Sequence, residues 1–221
     1  MSNPRQGSSG EKSGKSVELS RLKFLTDIIF ASAMTLTAFG IDLPPADGDY
    51  TNAEINDFLV AQLRAIGTLF ITFIIVAIYW FKDVEHFGYL RRVDQQYGWL
   101  QIFYLIGIVL VPFTNEFATT FRNSNTALIM YSANLFMIGA FSVASWSYAI
   151  KGGRLVGPDL DPTLAREIRS EAMLEPAVAL ISIGAVFISP DAWNLCFLLI
   201  PLVFAFQRRW RSRKKAVSAG S

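Results

Sequence analysis

Six apolar blocks, separated by short polar stretches, limit what this chain of 221 residues can fold into. They run over about 21–45, 55–81, 97–113, 127–150, 173–188 and 192–206. A helix needs about 20 mainly apolar residues to cross a hydrocarbon layer roughly 30 Å thick. In a soluble domain, apolar side chains would form a stripe on one face of each helix. Here they are bunched into blocks, with 52% of the residues hydrophobic and 17% charged. Lipid offers the backbone no hydrogen-bond partners, so such blocks are expected to be helices. The reading is an all-α integral membrane protein with six transmembrane helices per subunit. The third block is followed by a polar stretch able to extend its helix to Thr120. The fifth block is the shortest, and Glu171, Glu175 and Pro176 blur its start. Ser189-Pro190-Asp191 reads as a tight turn, with the proline placed to begin the last helix.

The positions of the basic residues give the orientation. The first 23 residues hold five Lys or Arg, Lys82 to Arg92 three, Lys151 to Arg169 four, and Arg208 to Lys215 six. With six crossings, these eighteen of the twenty fall on one side, leaving Arg122 opposite and Arg64 inside the second block. The positive-inside rule makes that side cytoplasmic, so both termini are expected in the cytoplasm of a multi-pass protein of the cell membrane. Residues 1–20, rich in Ser, Gly and Lys, read as a disordered cytoplasmic tail. Residues 21–210 read as one six-helix domain and 211–221 as a basic tail meeting anionic headgroups. Arg64 is expected to snorkel or to pair with Asp57, because a voltage sensor needs several arginines at helical spacing. One cysteine, Cys196, and one histidine, His86, exclude an internal disulfide and any site needing two imidazoles. No nucleophile stands near a base and no H-E-x-x-H pair is present, so an enzyme is not expected. Neither a resident metal, a cofactor nor a nucleic-acid partner is implied.

The first block departs from a plain membrane anchor. Asp27, Ser32, Thr35 and Thr37 lie inside it, and polar groups at membrane depth are costly and point to function. At about 100° per residue, Arg21, Phe24, Ile28, Ser32, Thr35, Phe39 and Asp42 share one stripe. Such a stripe suits the lining of an ion pathway, or a helix–helix seam, in which Ser and Thr also pack well. Asp27 lies off the stripe and points away from Arg21, so its expected partners are His86, Arg91 or Arg92. The outward segment 42–57 carries five acidic residues and no basic one, which reads either as ordinary positive-inside asymmetry or as an acidic vestibule that raises the local cation concentration.

Arg21-Leu22-Lys23-Phe24-Leu25-Thr26-Asp27 resembles the R-x-x-x-F-S-D signature of the transmembrane protein 175 family, potassium channels of lysosomes and bacteria. Arg21 and Asp27 match, Leu25 replaces Phe, and Thr26 replaces Ser. Val111-Pro112-Phe113-Thr114 resembles the family's L-P-F-S/T. The resemblance implies a passive, potassium-preferring channel. Four subunits would place their first helices around a central pore, with membrane lipids and monovalent cations as the other partners. It implies no carbonyl filter, and the chain holds no T-V-G-Y-G-like run. Carried over by position, it assigns Ser32, Thr35 and Phe39 to the constriction, while Arg21, Thr26 and Asp27 form the structural signature. Ser32 stands where the family usually has a bulky Ile or Leu, so Ile28 or Phe39 is the expected hydrophobic barrier. Asp42 is expected to attract cations at the outer mouth. A secondary transporter, proton-coupled or otherwise, with Asp27 or Glu175 as its coupling carboxylate, is the alternative.

Overall fold

The computed structural model describes residues 6–40, 44–45, 48–193 and 195–196, with side-chain surroundings from Glu18 onward except at Phe39, Gly40 and Arg64. Asp42, the remainder of the sixth block and the basic C-terminal segment lie outside the described residues. The helices are α1 (Gln6–Leu36), α2 (Asn52–Tyr89), α3 (Gln95–Thr120), α4 (Asn125–Ile150), α5 (Pro162–Ala172) and α6 (Leu174–Val186). Helix resumes at Pro190, after the expected turn, and opens the sixth block. The fold is an all-helical membrane protein, and α2, α3 and α4 are each long and apolar enough to cross a bilayer.

Local chemistry accounts for most of the boundaries. Thr51 and Glu54 form a reciprocal capping box that starts α2. Asp94 caps α3 by accepting from the Tyr97 N–H at 2.9 Å, and Asp161 caps α5 with Pro162 in its first turn. At 38 residues α2 is roughly 57 Å long, which exceeds the hydrocarbon thickness and carries its C-terminal turns beyond it. Two features differ from expectation. Helix α1 starts at Gln6, whereas a tail had been expected up to residue 20; once a membrane helix exists, extending it needs no new nucleus. Ahead of the fifth block lies a separate amphipathic helix, α5, which buries Ala165, Ile168 and Ala172.

Helix α4 is the centre of the bundle, packed against α3 and α6. Phe30 and Ala33 of α1, Val76 of α2, Ile108 of α3 and Ile138 of α4 share one buried core, together with Ala179 of α6. Pro112 interrupts the hydrogen-bond ladder of α3 at membrane depth, and side chains supply bonds around the break. Thr114 donates to the Leu110 carbonyl at 2.9 Å, while Asn134 of α4 donates to the Gly107 carbonyl at 3.1 Å and to the Thr114 hydroxyl at 3.3 Å. Two residues earlier in α4, Ser132 accepts from the Trp193 indole and the Ser182 hydroxyl, each at 2.9 Å.

A second cluster, including Leu19, Phe87, Tyr97 and Leu155, packs where α2 ends. There Leu90 and Val156 form one antiparallel bridge, and Arg91 donates to Asp159 at 2.8 Å. The Asp159 carboxyl is held below its usual range, first by its own backbone N–H and then by the Arg91 guanidinium. Gly152 and Gly153 take left-handed conformations (φ 65° and 64°) to turn the chain after α4.

Gly139 marks a close approach of α4 and α6. A Cβ there would lie 2.7 Å from Pro176 Cδ and 2.9 Å from its backbone nitrogen, neither of which can rotate away. Gly139→Ala is therefore expected to destabilise the subunit by about 1–3 kcal/mol. A thermal melt of the purified protein in detergent, read against wild type, checks this.

Candidate functional site: the outward face of the first helix

Helix α1 has two faces of opposite character. Thr26, Phe30 and Ala33 are buried, at 1–2% exposure, against the rest of the bundle. Roughly 170° round the helix, Arg21, Phe24, Ile28, Ser32 and Thr35 are exposed in the single subunit. Phe24 is 68% exposed and Ile28 46%. From Arg21 to Thr35 the stripe read from the periodicity is thus one exposed face, opposite the packed one. Phe39 lies in the short 3₁₀ turn Thr37–Gly40 that ends the helix, and its side chain is outside the described residues, as is Asp42.

The Thr35 hydroxyl donates to the Ala31 carbonyl at 2.8 Å. Its proton is thereby committed to the helix, leaving oxygen lone pairs directed away from it. A ring of such oxygens can exchange with part of a monovalent cation's hydration shell without a fixed charge. Asp27 has a different partner from those expected. Its Oδ1 accepts from the Trp80 indole N–H of α2 at 2.9 Å. His86 instead stacks on Trp146, with ring centroids 4.7 Å apart; Arg91 pairs with Asp159, and Arg92 donates to the Arg154 carbonyl. The three expected partners are occupied by the loops and helices that close the end of α2. Thr26, beside Asp27, is buried, and its hydroxyl finds no hydrogen-bond partner among the described residues.

Behind Asp27 stands a buried polar group missed in the sequence. Asp83 is 5% exposed and accepts from Gln101 Nε2 at 2.7 Å. Next to it in the chain, Lys82 forms an ion pair with Glu175 of α6. A signal was present: Trp80, Asp83 and His86 recur every three residues, in register with Val76 and Tyr79. The charge-rich composition of 82–96 had suggested an extramembrane extension instead. Thr114, from the V-P-F-T motif, is buried and bonded within α3, a role at the proline break. No cluster of His, Cys, Asp or Glu among the described residues is arranged to hold a metal ion.

Residues 21–112 match the sequence pattern of the endosomal/lysosomal potassium channel TMEM175. The chain is 26% identical over 195 residues to a protein of Streptomyces collinus named as a potassium channel, covering 86% of this chain and 93% of that one. Its fold is similar to the crystal structure of a lysosomal potassium-selective channel TMEM175 homolog from Chamaesiphon minutus. The TM-score is 0.72 and the identity 17%, over 86% of this chain and 98% of the other. A variant of the potassium channel MtTMEM175, crystallised with a nanobody fusion, aligns with a TM-score of 0.60 at 16% identity, over 87% and 93% of the two chains. The pattern matched at 21–112 begins at Arg21 and takes in Asp27 with its Trp80 partner, and the fold agrees over most of the chain's length: the protein is similar to TMEM175 channels in sequence over 21–112 and in fold over 86% of its length.

Proposed function

We propose that the chain is one subunit of a passive, potassium-preferring channel. Four copies enclose a pore lined by α1 of each subunit, and residues 21–210 make up the conducting unit. The observation that carries this reading is the outward face of α1, which holds Ile28, Ser32 and Thr35 opposite the packed face of the same helix. A polar and apolar mixture facing away from its own core is poorly suited to lipid, and a central axis shared by several copies gives it water and ions. Side-chain hydroxyls line the conducting path in place of a carbonyl filter. Ile28 and Phe39 supply the hydrophobic barrier, Arg21, Thr26 and Asp27 brace the cytoplasmic end, and Asp42 draws cations to the outer mouth. Both termini face the cytoplasm from the cell membrane, with no cofactor beyond the permeating ion.

The ion pair made by Glu175 supports a channel over a carrier. A coupling carboxylate must load and release its ion or proton in each cycle, whereas Glu175 is buried against Lys82. Asp27 is likewise engaged, by an indole N–H.

Protein reconstituted in liposomes is expected to carry potassium without proton counterflow and to show unitary currents. Under bi-ionic conditions the reversal potential should favour potassium over sodium; a reversal near zero would remove the selectivity. Ile28→Ala or Phe39→Ala is expected to raise leak through the closed pore, and single-channel recording that finds leak unchanged in both would exclude a barrier at these rings.

A further inference from the structure

Residues 80–86 of α2 grip four other helices through side chains. Trp80 donates to Asp27 of α1, Lys82 pairs with Glu175 of α6, Asp83 accepts from Gln101 of α3, and His86 stacks on Trp146 of α4. Of these four contacts, only Lys82–Glu175 is an ion pair, and it is withdrawn from solvent, with the two side chains 19% and 4% exposed. Such a pair is a weak source of net stability, because desolvation offsets most of its Coulomb attraction. It is an effective source of position, because separating the partners strands both charges.

The anchor end of this contact is fixed. Glu175 lies in the first turn of α6, and the next residue, Pro176, is pressed against Gly139 of the central helix α4. The other end is coupled to α1. Lys82 and Trp80 are two residues apart in one unbroken helix, roughly 200° apart around it, so α2 cannot change its hold on α6 while keeping its hold on Asp27. A path therefore runs from α4 through α6 and α2 to the helix that carries Ile28, Ser32 and Thr35.

We infer that the Lys82–Glu175 ion pair is a positioning element for the conducting face of α1, acting through Trp80 and Asp27. The inference rests on the proposed channel function. With the pair intact, α1 is held where its outward face conducts. With the pair broken, the cytoplasmic end of α2 moves, and α1 leaves that position while the chemistry of its face stays the same. Conduction and selectivity thereby separate: the pair controls how often the pore conducts, and the α1 side chains control which ion passes.

The test uses the full-length protein in liposomes, with potassium flux, bi-ionic reversal potential and thermal stability read together. Glu175→Gln is expected to lower flux about tenfold with the reversal potential unchanged. The exchange of Lys82→Glu with Glu175→Lys should bring flux back to within about threefold of wild type. In a Trp80→Phe background, Glu175→Gln should add little further loss, because the link to α1 is already cut. Additive losses in that background would overturn the inference, as would wild-type flux in a correctly assembled Glu175→Gln protein. If Glu175→Gln does not assemble, the charge exchange decides: flux recovered supports the inference, and an assembled exchange protein that does not conduct overturns it. Wild-type liposomes without potassium flux would bring down the channel reading and this inference together. Wild-type flux with additive variants would bring down this inference alone.

Discussion

A polar side chain on a helix in hydrocarbon can be satisfied only by another part of the protein, and this bundle is arranged around that constraint. The apolar residues cannot specify the arrangement, because lipid tails are as apolar as leucine. Large apolar side chains accordingly cover the outside of the subunit, as with Phe70, Ile71 and Ile74 on α2 and Phe103, Ile106 and Phe113 on α3. Specificity comes from the few positions where one helix must meet another. Asn134 meets the proline break of α3, Ser132 meets Trp193 and Ser182, and residues 80–86 of α2 meet four helices. Close approach at Gly139 sets the distance at which α4 and α6 make their contacts.

The apolar helices and their order were legible in the sequence because they depend on length and hydropathy alone. The face of α1 was also legible, since a period of 3.6 residues sorts Ile28, Ser32 and Thr35 from Phe30 and Ala33 without knowledge of any other helix. What periodicity cannot supply is the identity of a partner in another helix. Asp27 was matched to nearby cations, the usual partners of a carboxylate, yet it takes a neutral indole N–H from Trp80, 53 positions away. The cations had local demands of their own at Asp159 and the Arg154 carbonyl. Helix α5 was obscured for a similar reason. Its polar face resembles a loop in composition, and only Ala165, Ile168 and Ala172 at spacings of three and four mark its buried side.

The same constraint divides the polar residues into two classes. Inward-facing ones such as Asp83, bonded by Gln101, and Glu175, paired with Lys82, define geometry. Those facing outward from α1 are exposed in one subunit, and Thr35 has directed its proton back to its own helix. For a channel this division has a physical use. A lining group must release its ion quickly, so it should interact weakly and through oxygen lone pairs. A bracing group must hold its place while ions pass, so it should be buried and paired.

In the proposed channel, this division would bear directly on gating at Ser32. A bulky aliphatic residue at this position would make the ring narrow and dry, whereas a serine makes it wider and able to hold water. In the proposed channel the hydrophobic barrier would then depend on the rings at Phe39 and Ile28, on a helix braced from behind. On that proposal, a small residue at the centre of the lining would place more of the control on the bracing contacts, because closure there would require α1 to move and not merely a side chain to rotate. The contacts that resist such movement are those between Asp27, Trp80, Lys82 and Glu175.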